Sequence, residues 1–308
     1  MRNAISTRDN NFSGRTHLPT NTSKMFKLMS ILPQRPSEFY DRVSAMLDVH
    51  LEPYLRKRPQ YETVDWDTAV EALNEPLGAV LAEHLREDSL REIEDQVRQG
   101  IGAMPLNAPF ASFHNGDFSL GRLCYALTRI KRPTAILETG VCYGVTSSFM
   151  LKALQVNGHG SLYSIDLPPL GENADAFVGR LIPADLRRNW KLNRGSSRKL
   201  LSGILRSIGE VDMFVHDSLH TYRNMRFEFE LVAPHLTSHA IVVADDIEGN
   251  SAFDEWSRNA RPAYSTVMRE HAKRKSLLGV AVCGEPHAER TETAMPVGAL
   301  TSNNSKKA

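Results

Sequence analysis

The run Ala135-Ile-Leu-Glu-Thr-Gly-Val-Cys-Tyr-Gly-Val-Thr-Ser-Ser148 constrains this chain more than any other stretch. A short apolar segment ends in an acidic residue, turns on glycine, and enters a helical pattern through small hydroxyl residues. That order of events is the strand–turn–helix unit of a doubly wound sheet, whose ligand crevice lies at the carboxyl ends of parallel strands. Gly140 and Gly144 allow the backbone to turn sharply and a ligand to approach closely. The unpaired N–H groups of the following helix face the same crevice.

The downstream pattern agrees. Apolar strand-like runs appear at 135–138, 162–166, 189–193, 211–217 and 240–245, with Tyr222, Met225, Phe229, Val232 and Leu236 at helical spacing between the last two. Short, nearly all-apolar strands alternating with helices predict a mostly parallel sheet covered on both faces. Leu277–Cys283 reads as an antiparallel edge strand. Upstream, Ser119 is placed to cap a helix carrying Leu120, Leu123, Leu127 and Ile130 on one face.

From Pro36 to about Gly100 the pattern is helical. Phe39, Val43, Met46 and Leu47 share a face, as do Val70, Leu73, Leu77, Val80 and Leu81, and a third stripe is Leu90, Ile93 and Val97. The expected organisation is a disordered tail over 1–35, a helical extension over 36–110, an α/β core over 111–285 and a second disordered tail over 286–308. The extension suits either a cap over the active site or a contact in a homodimer.

Bulk properties exclude some classes. In 308 residues, 41% are hydrophobic and 24% charged, and the net charge of +1 argues against a broad nucleic-acid surface. Cys124, Cys142 and Cys283 lack metal-ligand or disulfide spacing, which fits a reducing compartment. No apolar run approaches the roughly 18 residues that span a bilayer, and no secretory h-region is present. A cytoplasmic location is expected, with no membrane partner.

Glu138 ends the first core strand and Asp166 the second, where a carboxylate can accept both hydroxyls of a bound ribose. A dinucleotide fingerprint needs a glycine where Cys142 stands, so close pyrophosphate contact is disfavoured. S-adenosylmethionine has no pyrophosphate and tolerates that change.

Glu138-Thr-Gly-Val-Cys-Tyr-Gly144 resembles the first motif of class I S-adenosylmethionine-dependent methyltransferases. The order of Ser-Ile-Asp166-Leu-Pro-Pro, Val-His-Asp217-Ser-Leu-His220-Thr-Tyr and Val-Ala-Asp245-Asp246-Ile is similar to the metal-dependent small-molecule O-methyltransferases of the catechol and macrolide-sugar types. The resemblance runs from about His114 to Cys283. It implies methyl transfer to an oxygen of a small molecule. Thr139, Gly140 and Gly144 would face the methionine part of the cofactor and Asp166 its ribose, with Glu138 and Asp217 beside it. Ser196 would border the adenine by position alone, and His114 and Asn115 precede the core where cofactor or substrate is within reach.

Asp217, Asp245 and Asp246 end the fourth and fifth strands, and carboxylates gathered in a partly desolvated cleft repel one another. A hard divalent cation, Mg²⁺ foremost, relieves that repulsion. In the resembled family one acid after strand four and an acidic pair after strand five hold the metal, and these residues match position by position. Catechol-type relatives place a general-base lysine three residues after the first of these acids, where this chain has His220. Macrolide-sugar relatives place an aspartate two residues after it, where this chain has Leu219. His220 is thus the candidate base, since an unperturbed histidine has a pKa of about 6.5, while His216 is expected to point to the opposite face. A nicotinamide-dependent oxidoreductase on a related fold and a non-catalytic cofactor-binding protein are the alternatives.

Overall fold

The computed structural model describes residues 21–55, 59, 61–105, 107–110, 118–171, 173–269 and 276–284. In chain order these form α1 (Asn21–Ile31), α2 (Pro36–Leu55), β1 (Thr63–Val64), α3 (Trp66–Ala72), α4 (Asn74–Leu77), α5 (Leu81–His84), α6 (Asp88–Gly102) and α7 (Phe118–Lys131). The core continues as β2 (Ala135–Thr139), α8 (Val145–Asn157), β3 (Ser161–Asp166), α9 (Ala174–Phe177), β4 (Trp190–Arg194), α10 (Ser197–Ile208) and β5 (Val211–His216). It ends with α11 (Tyr222–Val232), β6 (Leu236–Ala244), α12 (Ala252–Ala260), β7 (Tyr264–Arg269) and β8 (Leu277–Val282).

The strands form one sheet in the order β1-β7-β8-β6-β5-β2-β3-β4. Strands β2 to β6 pair in parallel, and β8 runs antiparallel between β6 and β7. The antiparallel strand expected at this end of the sheet is therefore present, and β7 and the two-residue β1 lie beyond it. The chain order reverses between β2 and β5, so the crevice of this sheet opens above those two strands.

Successive strand residues feed opposite faces. Ile136, Met213, Val215, Ile241, Val243, Leu278 and Val280 pack against the layer of α3, α5, α6, α7 and α8. Leu137, Phe214, Val242, Ala244 and Ala281 pack on the other side against α10, α11 and α12. Leu73, Leu81, Ile93 and Val97 are fully buried in the first of these layers, so α3 to α6 build the core itself.

Three expectations change. Residues 21–31 of the expected tail are helical, with Leu28 buried, while residues 1–20 and 285–308 lie outside the described residues. In α2 the buried side chains are Glu38 and Asp48, and Met46 and Leu47 are exposed. The physical reason is charge pairing: Asp48 meets Arg198 and Arg223, and Glu38 meets Arg42 and Arg194. Ser119 sits within α7 rather than capping it. Among the described residues, no helix is long and apolar enough to cross a membrane.

Gly140 has φ of 88°, and a Cβ there would land on the carbonyl of Asp217. Gly158, after α8, has φ of 81° with nothing within 4 Å of a Cβ. Both alanine variants pay the left-handed backbone cost of about 1 kcal/mol, but only Gly140→Ala adds a backbone collision. Gly140→Ala is expected to lower the denaturant midpoint at least twice as far as Gly158→Ala; equal shifts would contradict the close approach.

Candidate active site at the carboxyl edge of the sheet

The tip of β2 is tied to both neighbours by backbone bonds. Gly140 N–H donates to the Ile165 carbonyl at 2.9 Å, and Asp217 N–H donates to the Thr139 carbonyl at 2.9 Å. Asp245 N–H donates to the His216 carbonyl at 2.9 Å, which extends the same edge to β6. These bonds bring the ends of β3, β2, β5 and β6 into one row.

Asp166 stands at the glycine turn, as expected. Its Oδ2 accepts the N–H groups of Val141 at 2.9 Å and Cys142 at 2.7 Å. Cys142 has φ of 52°, which turns its N–H toward that carboxylate. Burial raises the Asp166 pKa, and the two N–H bonds with the charges of Arg194 and Arg42 hold the rise back.

Glu138 and Thr139 turn their side chains into the interior. Glu138 is 1% exposed, and its carboxylate accepts from Ser147 at 2.8 and 2.9 Å and from Ser164 at 2.6 Å. Thr139 donates to Glu228 Oε2 at 2.6 Å, and His216 Nδ1 lies 2.7 Å from the same oxygen. His216 is fully buried, and its ring meets that of His220 edge-on at 5.4 Å between centroids, so it lies behind the cluster and not away from it. Gly144 has φ of 86° and a Cβ there would collide with Gly179, so packing alone already demands glycine. Ser196 is the N-cap of α10, and its hydroxyl donates to Asp41 at 2.9 Å. His114 and Asn115 lie outside the described residues.

Asp217, His220 and Asp245 each offer a ligand atom within 4.8 Å of the others. His220 Nε2 is 3.8 Å from Asp217 Oδ1, and Nδ1 is 3.9 Å from Asp246 Oδ2. Asp246, in a left-handed conformation, is held by Ser276 at 2.8 Å and lies outside the set of three. The Asp217 pKa is raised well above its usual value, first by desolvation and then by Asp245, Glu138 and Asp246. A protonated or cation-neutralised carboxylate is the natural state of such a group.

The extension adds residues that periodicity missed. Arg42 of α2 donates to the Pro168 carbonyl at 2.6 Å, just beyond Asp166. Glu38 accepts from Arg42 at 2.7 Å and from Arg194 at 2.7 Å. Burial pushes Glu38 up, but the two guanidinium groups win and hold it at about 2.

Residues 137–247 match the model of a family described as a methyltransferase domain. That stretch covers the tips of β2 to β6 and every side chain of the cluster. The matched stretch is thus similar to a methyltransferase domain and lies within the doubly wound sheet. No curated protein sequence matches the chain. Similar solved structures include an O-methyltransferase from Bacillus cereus in complex with S-adenosylhomocysteine, at 15% identity over 70% of this chain and 97% of that one, with a TM-score of 0.49. Another is the O-methyltransferase TomG from Streptomyces achromogenes, involved in tomaymycin synthesis and bound to S-adenosylmethionine, at 16% identity over 71% and 97%, with a TM-score of 0.44. The methyltransferase PaMTH1 of Podospora anserina, bound to S-adenosylhomocysteine, is similar at 12% identity over 73% and 99%, with a TM-score of 0.43.

Burial raises the Glu138 pKa from 4.5 to about 7. Between those values the unfolded chain has released this proton and the folded chain retains it, so stability falls as pH rises through the window. The loss amounts to about 3 kcal/mol in total. Glu138→Gln is expected to flatten the pH dependence of the urea midpoint between pH 5 and about 7.5; an unchanged slope would show that this carboxyl is not the titrating group.

Proposed function

We propose that this chain transfers the methyl group of S-adenosylmethionine to an oxygen of a small molecule, with a divalent cation at the acidic cluster. The observation that supports this reading is the placement of the glycine turn with Asp166 on one side of the β2 tip and Asp217, Asp245 and His220 on the other.

The turn and the N-terminus of α8 would cradle the methionine part through backbone groups, since the Thr139 and Glu138 side chains are engaged inside. Asp166 would face the ribose, its Oδ2 already steadied by Val141 and Cys142. Holding donor and acceptor in line supplies the proximity on which such a displacement depends.

The donor set fits a cation: two carboxylates and an imidazole converge, and Asp217 carries an ionisation penalty that positive charge would remove. Asp217 and Asp245 would hold it, and when bound it lowers the pKa of an acceptor hydroxyl and orients it. His220 takes the hydroxyl proton at Nε2, and Asp246 on the Nδ1 side orients the ring. Asp246 thus passes from the metal set expected from sequence to a supporting position. The acceptor is a small hydroxyl compound, and a cytoplasmic setting suits the unpaired thiols.

The experiment is a variant series read by three measurements: S-adenosylhomocysteine affinity, Mn²⁺ affinity and turnover. Asp166→Asn is expected to weaken S-adenosylhomocysteine binding at least tenfold. Asp245→Asn is expected to weaken Mn²⁺ binding and leave S-adenosylhomocysteine binding within threefold. His220→Ala is expected to lower kcat by roughly 10²–10⁴ with both affinities retained. Loss of Mn²⁺ affinity in His220→Ala would make that residue a ligand instead of the base, and full turnover in Asp245→Asn would remove the cation from the mechanism.

A further inference from the structure

We propose that the outer face of α2, with α1 beside it, is a self-association surface through which two copies of this chain pair as an antiparallel, two-fold symmetric dimer. The surface is unusual because α2 is turned inside out. A surface helix normally buries its apolar stripe and exposes its charges. Here Glu38 and Asp48 are the buried residues, while Tyr40 is 66% exposed, Leu47 53%, Leu51 37% and Tyr54 80%.

The spacing from Tyr40 to Leu47 to Leu51 to Tyr54 keeps all four on one side of a helix, with Ser44 filling the turn between the first two. The opposite side is fastened along its length. Asp41 accepts from Ser196 at 2.9 Å, Asp48 from Arg198 at 2.7 Å, and Glu52 from the N–H of Tyr222 at 2.8 Å. Rolling the helix to hide the stripe would strip the buried Asp48 of Arg198 and Arg223, which costs several kcal/mol for an unpaired buried charge. The apolar face is therefore held outward.

Among the described residues, ten of the thirteen exposed large hydrophobic side chains lie between Met25 and Leu55. At about 150–250 Å² for each aromatic side chain, the exposed parts of Tyr40, Tyr54 and Phe26 alone offer roughly 330–560 Å², and the seven exposed aliphatic side chains between Met25 and Leu55 add to it. A stable pair needs about 800 Å² from each partner, and solitary patches of this size are rare on monomers.

The pattern selects a second copy as the occupant. Leu47 lies seven residues from Tyr40 and seven from Tyr54. An antiparallel copy sets Tyr40 against the partner's Tyr54, Tyr54 against the partner's Tyr40, and Leu47 against itself. Such self-complementarity is what a two-fold interface requires, and an unrelated partner would have no use for it. Pairing would also brace α2 where Glu38 and Arg42 overlie the end of β3.

The test uses the full chain in sedimentation equilibrium and does not depend on turnover. The wild type is expected to be dimeric at micromolar concentration. Leu47→Glu and Leu47→Lys are each expected to halve the mass with an unchanged circular dichroism spectrum, and an equal mixture of the two is expected to restore the dimer. Tyr54→Glu, whose side chain is the most exposed of the stripe, gives a second variant that folding cannot confound. Leu192→Glu, on the exposed edge strand β4, is expected to remain dimeric. A wild type that is monomeric throughout, a dimer that persists in Leu47→Glu or Tyr54→Glu, or a mixture that stays monomeric would overturn the proposal. So would a monomer that binds phosphatidylglycerol vesicles through this stripe, which would make it a lipid surface.

Discussion

The close approach of the Gly140 backbone to the carbonyl of Asp217 is the constraint on which the rest of the edge depends. It lets the ends of β2 and β5 lie side by side beyond the last ladder bond, with no side chain between them. From that contact the chain can turn back over β3 on one side, where Asp166 gathers the loop N–H groups. On the other side it continues to His220 and reaches Asp245 at the end of β6. A wider spacing would leave a nucleoside-sized crevice and an acidic cluster as separate features.

Two charge problems meet at this edge and are handled differently. Glu138 lies inside, where two serine hydroxyls satisfy it and burial keeps its proton to about pH 7. Asp217 lies among other acids, and Asp245, Glu138 and Asp246 add to the rise that desolvation gives it. Glu138 is fully enclosed, whereas Asp217 and His220 of the cluster are only partly buried. Next to them, the extension contributes Glu38 and Arg42: Glu38 is shared by Arg42 and by Arg194 of β4, and the two guanidinium groups place positive charge near Asp166. The helical lead-in is thus part of the crevice wall as well as of the core.

Much of this was legible before any coordinates, for a physical reason. Strand β2, nearly all of β5 and the second half of β6 are buried on both faces, so they appear in sequence as nearly all-apolar runs. The strand β7, Tyr-Ser-Thr-Val-Met-Arg, has exposed positions that interrupt such a run, and the two residues of β1 carry no pattern at all. The resemblance places Thr139 against the cofactor with Glu138 beside it. Their inward turn depends on Ser164 and Glu228, which lie 26 and 89 residues away. The face of α2 was misjudged for the same reason. Its acids answer Arg194 and Arg198, 156 and 150 residues downstream, and apolar periodicity cannot register a helix packed through charge.

The central claim is that donor and cation sites lie against one another at a single edge. Nuclear magnetic resonance of bound S-adenosylmethionine carrying a ¹³C-methyl group tests it most directly, as Mn²⁺ is titrated into the complex. The account predicts strong paramagnetic broadening of the methyl signal that saturates with one equivalent of Mn²⁺ and disappears in Asp245→Asn. A methyl signal that stays sharp while Mn²⁺ is demonstrably bound would place the two sites apart and contradict it.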